Sequence, residues 1–372
     1  MAANGEGGMA DIIRALELIH SPTSTNELRK QASAFLESQK QDKSAARNGF
    51  LLASQTESQP LVRYFGLSLL EHTLRSSGFS LSSEQLAEVR AMILELGESI
   101  RPQDPTYIRN KVAQLWAEIA KRSWAVDWLG MDEVLVKLWG ATLLHKEFVL
   151  SVLETLSEDI FYREDTISSL RGTDLNRALV EIFTPLSVFE EVYPERGRHV
   201  ELRYGTEGWL ARTCEFLESC IQNLQSSREA KDCALKALAT LRSALAWSIP
   251  KAVISSNSVA TVCHALTCQD DEVRMVRAGH IASWRLIANR WKAAVEALHA
   301  LYSRSNVEIE DFQPLVHIMF QTDHLVLMQK LYEWSVVDAN DIDDTRYTTS
   351  KKLSEVGCEK RCFVESYIAD RI

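Results

Sequence analysis

Apolar residues recur at helical spacing again and again along this chain. Between Trp209 and Leu224, the positions Leu210, Cys214, Leu217, Ile221 and Leu224 follow at i, i+4, i+7, i+11 and i+14. An α-helix turns every 3.6 residues, so these side chains share one face. Cys233, Ala237, Leu241 and Leu245 repeat the pattern over 229–245. Val273, Val276, His280, Trp284 and Ile287 do so over 271–288. Phe148, Val152, Leu156 and Ile160 do so over 147–161, with Val149 and Leu153 widening the stripe. No segment alternates with a period of two, so the pattern does not support strands.

The periodicity predicts helices at 9–20, 25–40, 44–55, 60–76, 83–100, 105–123, 130–144, 146–163, 173–192, 208–226, 228–247, 250–267, 271–289, 291–303, 311–321 and 324–335. Ser24 with Glu27, Ser82 with Gln85 and Ser226 with Glu229 fit capping boxes. Asp104-Pro105 fits an N-cap followed by proline at the first helical position, and Pro60 and Pro250 also open apolar-periodic stretches. The connections are short, except for the polar stretch 194–207. Successive helix pairs begin roughly 40 residues apart, the range of HEAT and armadillo arrays. A pair cannot bury its apolar faces alone, so neighbours stack. The expected fold is all-α: an α-solenoid, or superhelix, of stacked antiparallel HEAT-type helix pairs. Residues 1–8 are expected to be a disordered start. HEAT-type repeats then fill 9–165 and 166–337, and 338–372 holds an acidic loop (Asp338, Asp341, Asp343, Asp344) and an atypical end.

Composition narrows the function classes. Of 372 residues, 46% are hydrophobic and 25% charged, which suits a folded chain. Only 15 Gly and 8 Pro leave too few turns for a sheet-rich fold. No apolar stretch is long enough to cross a membrane, and MAANGEGG has neither part of a secretory signal. Seven Cys, an odd count, fit reduced thiols. A net charge of −10 argues against nucleic-acid binding over the whole surface but leaves room for a local basic groove.

The chain carries no phosphate-cradling loop, no H-E-x-x-H and no G-x-S-x-G. Cys263, His264 and Cys268 come nearest to metal spacing, but zinc needs further ligands that no spacing supplies. Neither catalytic nor metal residues are expected, and no cofactor. Trp116, Trp139 and Trp284 lie on apolar stripes and are expected in the core. The best basic stripe is Arg274, Arg277 and Arg285, with acidic Asp270, Asp271 and Glu272 beside it.

Three segments carry a family resemblance. ALELIHSPTSTNELRKQASAFLESQK (15–40) resembles the first repeat of the importin-β superfamily, with its Ser-Pro turn and Arg-x-x-Ala-x-x-x-Leu core. PLVRYFGLSLLEHTLRS (60–76) is similar to the second helix of that family's second repeat. YIRNKVAQLWAEIAKRSWAVDW (107–128) is similar to the third-repeat helix of exportins and its Trp-x-x-x-Trp end, with Ala125 where the family usually has Pro. Together they resemble the exportin-five branch, in a fungal-type version. The resemblance is strong over 9–165 and weaker to about 335. Family members are roughly three times longer, and VGCEKRCFVESYIADRI (356–372) does not continue the pattern. The chain is therefore expected to be an N-terminal part of an exportin with an aberrant end, as a splicing or gene-model error would produce.

The resemblance implies a nuclear transport receptor that binds the small GTPase Ran in its GTP form together with export cargo, protein or structured RNA, and that contacts nucleoporins while shuttling between nucleus and cytoplasm. Ran would do the hydrolysis, so this chain would be no enzyme. On 60–76, Val62, Phe65 and Leu69 form the core side, and Tyr64, Ser68, Glu71 and Arg75, flanked by His72, form the opposite one. On 107–122, Ile108, Val112, Leu115 and Ile119 face the core while Lys111, Gln114, Glu118 and Lys121 face away. Those polar rows are the candidate Ran-binding residues, and Arg274 and Arg277 the candidate cargo contacts. The competing expectations are a HEAT-repeat scaffold that binds proteins without Ran, and an all-α enzyme, which would need a pocket of perturbed titratable groups.

Overall fold

The computed structural model describes residues 3–76, 81–162, 166–195, 201–224, 227–267, 281–305, 307–327, 329 and 351–352. Among them the regular elements are α-helices, and Trp124 and Trp128 form an isolated bridge. The fold is all-α, built of stacked helix hairpins of the HEAT-repeat kind. By its contacts the chain divides into two compact units, Met1–Leu156 with Thr166–Arg171, and Ser157–Asp165 with Gly172–Ile372.

The first unit holds α1 (Ala3–His20), α2 (Asn26–Gln39), α3 (Ala45–Ser54), α4 (Pro60–Ser76), α5 (Ser83–Glu98), α6 (Thr106–Ser123), α7 (Met131–Trp139), most of α8 (Leu143–Phe161) and α9 (Thr166–Leu170). Consecutive helices pack as hairpins, α1 on α2, α3 on α4 and α5 on α6. Neighbouring hairpins then pack like on like, α3 against α5 and α4 against α6. That is the stacking a repeat array needs to bury faces no single hairpin can cover. The front core joins Ile12, Leu16, Ala32, Leu36, Leu52, Val62 and Leu69 across four helices. Ala32 and Leu36 are the apolar positions of the Arg-x-x-Ala-x-x-x-Leu pattern. Its Arg29 turns back and donates to the Ser21 carbonyl at 2.8 Å, tying α2 to the Ser21-Pro22 turn.

Helices α3 and α4 meet through glycine. A Cβ on Gly49 would lie 2.6 Å from the Gly66 carbonyl oxygen, and one on Gly66 would lie 2.5 Å from the Gly49 oxygen. The two backbones approach closely because neither residue has a side chain. Trp116, with 0% exposure, fills the next layer. It packs edge-on against Phe148 with ring centres 5.7 Å apart, and lies beside Trp128 at 6.1 Å. Trp124 is also fully buried. The residue after it, Ala125, has φ of 64°, which proline's ring forbids, so the chain turns here by a left-handed residue where the family pattern uses proline.

Local chemistry shifts several boundaries. Helix α1 begins at Ala3, so residues 3–8 are helical where a disordered start was expected. The Ser82 capping box forms as expected. Thr25 rather than Ser24 caps α2, accepting from the Leu28 amide, and Ser227 rather than Ser226 caps the helix that begins at Arg228. Asp104 does not cap α6. Pro105 is the N-cap residue, and the Asp104 carboxylate is used in the interior of the unit. The expected helix 130–144 stops at Trp139, and α8 starts at Leu143.

The second unit contains α10 (Gly172–Phe183), α11 (Leu186–Val192), α12 (Trp209–Gln222), α13 (Arg228–Leu245), α14 (Pro250–Ser255), α15 (Ser258–Leu266), α16 (Ile281–Tyr302) and α17 (Ile309–Met319). The stripes predicted for 209–224 and 229–245 are buried throughout. The expected helix 173–192 is two helices. Pro185 lacks the amide a continuing helix would use and pushes Thr184 out of helical geometry. The expected helix 250–267 is likewise broken, at Asn257 with φ of 53°. Of the helices expected at 271–289 and 291–303, the described part forms the single α16.

The polar stretch 194–207 has a structural use in this unit. Glu181, 0% exposed, accepts the Leu202 amide at 2.8 Å and the Arg203 amide at 3.3 Å. Arg203 in turn donates to the Thr184 carbonyl at 2.6 Å. The carbonyls freed by the Pro185 break are thus closed by the returning chain. Gly208 completes the corner with φ of 77°, and a Cβ there would lie 2.7 Å from the Phe183 oxygen and 2.8 Å from the Thr184 carbonyl carbon. Gly208→Ala is expected to cost about 2 kcal/mol through left-handed strain and backbone collision. Urea unfolding followed at the second unit checks this, and an unchanged midpoint would show that the corner relaxes.

Candidate functional site

Helices α4 and α6 lie side by side in the first unit and are joined by a ladder of ion pairs. Lys111 Nζ sits 2.5 Å from Glu71 Oε2. Arg75 bridges both helices, 3.4 Å from Glu71 and 3.2 Å from Glu118. Glu118 also takes Arg122 at 2.6 Å and Lys121 at 3.1 Å on its own helix. At the other end of the ladder Lys111 lies 6.0 Å from the Tyr64 ring, and Tyr64 meets Tyr107 edge-on at 5.8 Å. The row is therefore aromatic at one end and cationic at the other, with carboxylates held between.

Exposure sorts the candidate residues. Tyr64 is 38% exposed, Tyr107 51%, and the Arg75 side chain 61%. Gln114 is exposed, and Ser68, Glu71 and His72 are half-buried. His72 lies 3.2 Å from Gln41, and the Ser68 hydroxyl donates to the Tyr64 carbonyl. The expectation fails for three residues of α6: Lys111, Glu118 and Lys121 are buried, Lys121 at 1% exposure. Spacing had turned them away from the core of their own hairpin. In the folded unit α6 is also covered by α4, by the Phe148 side of α8 and by α9. Arg171, just after α9, donates to the Lys121 carbonyl at 2.6 Å and to the Trp124 carbonyl at 2.5 Å, closing the C-terminus of α6. The row α6 leaves in solvent is Tyr107, Asn110 and Gln114. The i, i+3, i+7 spacing of that row was legible in the sequence, but which polar row remains uncovered was not.

Below the ladder a second ion pair links hairpins. Arg63 and Asp104 are 8% and 6% exposed, with 2.5 Å between Nη1 and Oδ1. Arg63 Nε also donates to the Ala53 carbonyl at 3.1 Å, and Asp104 Oδ2 accepts the Arg101 amide at 2.9 Å. Burial alone would raise the Asp104 pKa, but the Arg63 guanidinium and the Arg101 amide outweigh it and hold the carboxyl below its usual value. Glu118 behaves alike: burial raises it, and Lys121 with Arg122 more than offset that.

A pH dependence follows. Both carboxyls hold their protons less tightly folded than unfolded. Their stabilisation is complete above the ordinary carboxylate range of about 4 and is lost as pH falls through the lower folded values. The first unit is therefore expected to weaken progressively on acidification below about pH 4. Glu118→Gln should flatten that acid limb in urea unfolding measured at several pH values. A limb of unchanged slope would assign the loss to other carboxyls.

Arg274 and Arg277 lie outside the described residues, as do Arg285's side chain, Cys268, the acidic run from Asp338 and the segment 356–372. Cys263 is buried and its thiol is pushed up to about 12 by burial, while His264 sits 2.6 Å from Glu218. Among the described residues no group of three or more His, Cys, Asp or Glu could hold a metal ion, and no helix is long and apolar enough to cross a membrane.

Comparison with known proteins agrees with these elements. Residues 105–189, from the start of α6 into α11, match the family described as exportin 1-like protein. The chain is 26% identical over 364 residues to Protein MSN5 of Saccharomyces cerevisiae, covering 94% of this chain and 28% of that one. It is 25% identical over 186 residues to Exportin-5 of Dictyostelium discoideum, covering 49% of this chain and 16% of that one. Against Exportin-5 of Mus musculus it is 26% identical over 175 residues, 46% of this chain and 14% of that one. The chain thus spans less than a third of the length of these relatives.

Proposed function

We propose, from the premise that this chain is homologous to the exportin-five branch of nuclear export receptors, that it acts in nuclear transport by binding Ran in its GTP form on the α4–α6 face. The observation that carries this reading is the exposed rim of the ion-pair ladder. Tyr64, Tyr107, Gln114 and Arg75 stand in solvent on a base that Glu71, Lys111 and Glu118 hold rigid. Side chains whose rotamers are already fixed lose less entropy on binding, which favours such a surface as a docking site. Arg75 and the paired tyrosines are the residue types that dominate protein interfaces. Lys111, Glu118 and Lys121 act here as the support of the face. Glu71, Ser68 and His72 lie along its edge. GTP hydrolysis stays with Ran, so the chain needs no catalytic group, and cargo and nucleoporins would engage other surfaces as it shuttles between nucleus and cytoplasm.

The test is a titration of the whole chain against Ran loaded with a non-hydrolysable GTP analogue or with GDP. Selective binding of the GTP form, weakened at least about tenfold by Arg75→Glu, is the expected result. Equal binding of both forms, or none by a folded chain, would leave a helical-repeat scaffold that works without Ran.

A further inference from the structure

The break at Pro185 does more than end α10. In one continuous helix Val180 and Phe189, nine positions apart, would stand half a turn out of phase and point to opposite sides. The break instead brings both to a single cavity of about 580 Å³ in the second unit. Its walls are mainly apolar: Val180 from α10, Phe189 and Val192 from α11, then Tyr193 and Pro194. Phe189 is buried, Val180 and Val192 are half-buried, and Tyr193 is 46% exposed. That gradient puts Phe189 at the closed end and Tyr193 at the open one. The Phe189 ring is fixed by two neighbours, Tyr193 with ring centres 5.0 Å apart and the Arg203 guanidinium at 5.4 Å.

Charge decides which ligand suits these walls. Glu181 is buried, and its Oε1 accepts the Leu202 and Arg203 amides, while Arg203 donates to the Glu181 and Thr184 carbonyls. Those two charges are engaged within the fold. Asn176 also lines the cavity, but its side-chain oxygen is shut away from solvent and meets no ligand. Arg177 and Glu195 stand at the mouth, both exposed, opposite in sign and without an ion pair among the described residues. An anion that gains from Arg177 loses to Glu195, and a cation does the reverse. The carbonyl end of α11 further opposes an anion, and Arg203 against the Phe189 ring opposes a cation. Net charge on the ligand therefore brings no advantage, and carrying it onto apolar walls is costly. Size sets the other bound. A cavity of about 150 Å³ already takes a benzene ring, and small-molecule sites run from about 300 to 1,000 Å³ with few polar groups.

We propose that this cavity is a binding site for an uncharged small molecule with a fused-ring or branched apolar body. A protein surface laid over the mouth would strip water from Arg177 and Glu195 and give neither a counter-charge, whereas a small molecule leaves both hydrated. Burial of apolar surface against Val180, Phe189 and Val192 supplies the affinity. The site is independent of the Ran reading, since none of its residues belongs to the α4–α6 face.

Three probes of one shape and different charge give the test on the whole chain at neutral pH: naphthylmethanol, naphthoate and naphthylmethylammonium. Calorimetry reads binding, and the thermal midpoint reads stabilisation. The alcohol is expected to bind saturably, to raise the midpoint, and to bind about fivefold more tightly than either ion. Val180→Trp fills the cavity from α10 and should weaken the alcohol at least about tenfold while the free chain stays folded. Val192→Phe fills it from α11 and keeps the test decisive if Val180→Trp does not fold. An ion that binds as tightly as the alcohol overturns the proposal, naphthoate by way of Arg177 and the ammonium by way of Glu195. The absence of saturable binding, or binding undiminished in a folded filled variant, overturns it as well.

Discussion

Gly66→Ala is expected to unfold the first unit early, by about 3 kcal/mol. Helix propensity alone predicts the opposite sign. Glycine inside a helix costs about 1 kcal/mol relative to alanine, so the substitution should help α4 in isolation. Tertiary geometry reverses this. The new Cβ would lie 2.5 Å from the Gly49 carbonyl oxygen, 2.8 Å from the Ala53 amide nitrogen and 2.9 Å from the Leu52 Cβ. Two of those atoms are backbone and cannot swing aside, so α3 and α4 must separate. In a stacked array that separation also strips cover from the next hairpin, because α3 packs on α5 and α4 on α6. For a unit of this size the midpoint should fall by roughly 6–12 °C in calorimetry. Gly8→Ala, in α1 of the same unit, is the control, since a Cβ there meets nothing within 4 Å. A stabilising Gly66→Ala would show that the crossing is looser than the close approach of its backbones implies.

The second large effect is at the buried ion pair. Asp104→Ala should cost about 3–5 kcal/mol, because it leaves the Arg63 guanidinium enclosed without a counter-charge. The loss goes beyond the side chain: Arg101 also loses the acceptor of its amide, so the turn from α5 into α6 slackens. Adding Arg63→Met should restore a large part of the stability, since an apolar pair of similar volume is often nearly as stable as the ions it replaces. Urea unfolding of the two single variants and the double gives the coupling. Strict additivity would mean that each residue is held by separate partners and that the pair itself contributes little. Because α4 and α6 present the proposed Ran surface, the same variants should weaken Ran through the fold, whereas Arg75→Gln, at a side chain 61% exposed, should weaken Ran at a smaller cost in stability.

The periodic stripes carried the fold in the sequence. Leu210, Cys214, Leu217 and Ile221 are buried as their spacing requires, and so are Ile108, Val112, Leu115 and Ile119. Amphipathic spacing is a local property: one helix must bury one face whatever covers it. Helix breaks were less legible, because Pro185 and Asn257 act through single-residue backbone geometry that an apolar period passes straight over.

Tertiary structure alone decided the fate of the polar faces. A spacing argument treats a helix as having one covered side, and in a stacked array an inner helix is covered on several. By spacing alone Lys111, Glu118 and Lys121 face away from the core for that reason. Their burial follows from α4 and α8 flanking α6 and from the counter-charges supplied by Glu71, Arg75 and Arg122. Asp104 shows the same division of labour. An aspartate before a proline suits a helix cap in any sequence, but Arg63, 41 positions away, made it the anchor of a buried ion pair. The sequence by itself determined which segments are helices and which face of each is apolar, because those depend on neighbours within a turn or two. Which charges meet, and which residues remain for a partner, depended on helices far apart in the chain, and only their packing could decide it.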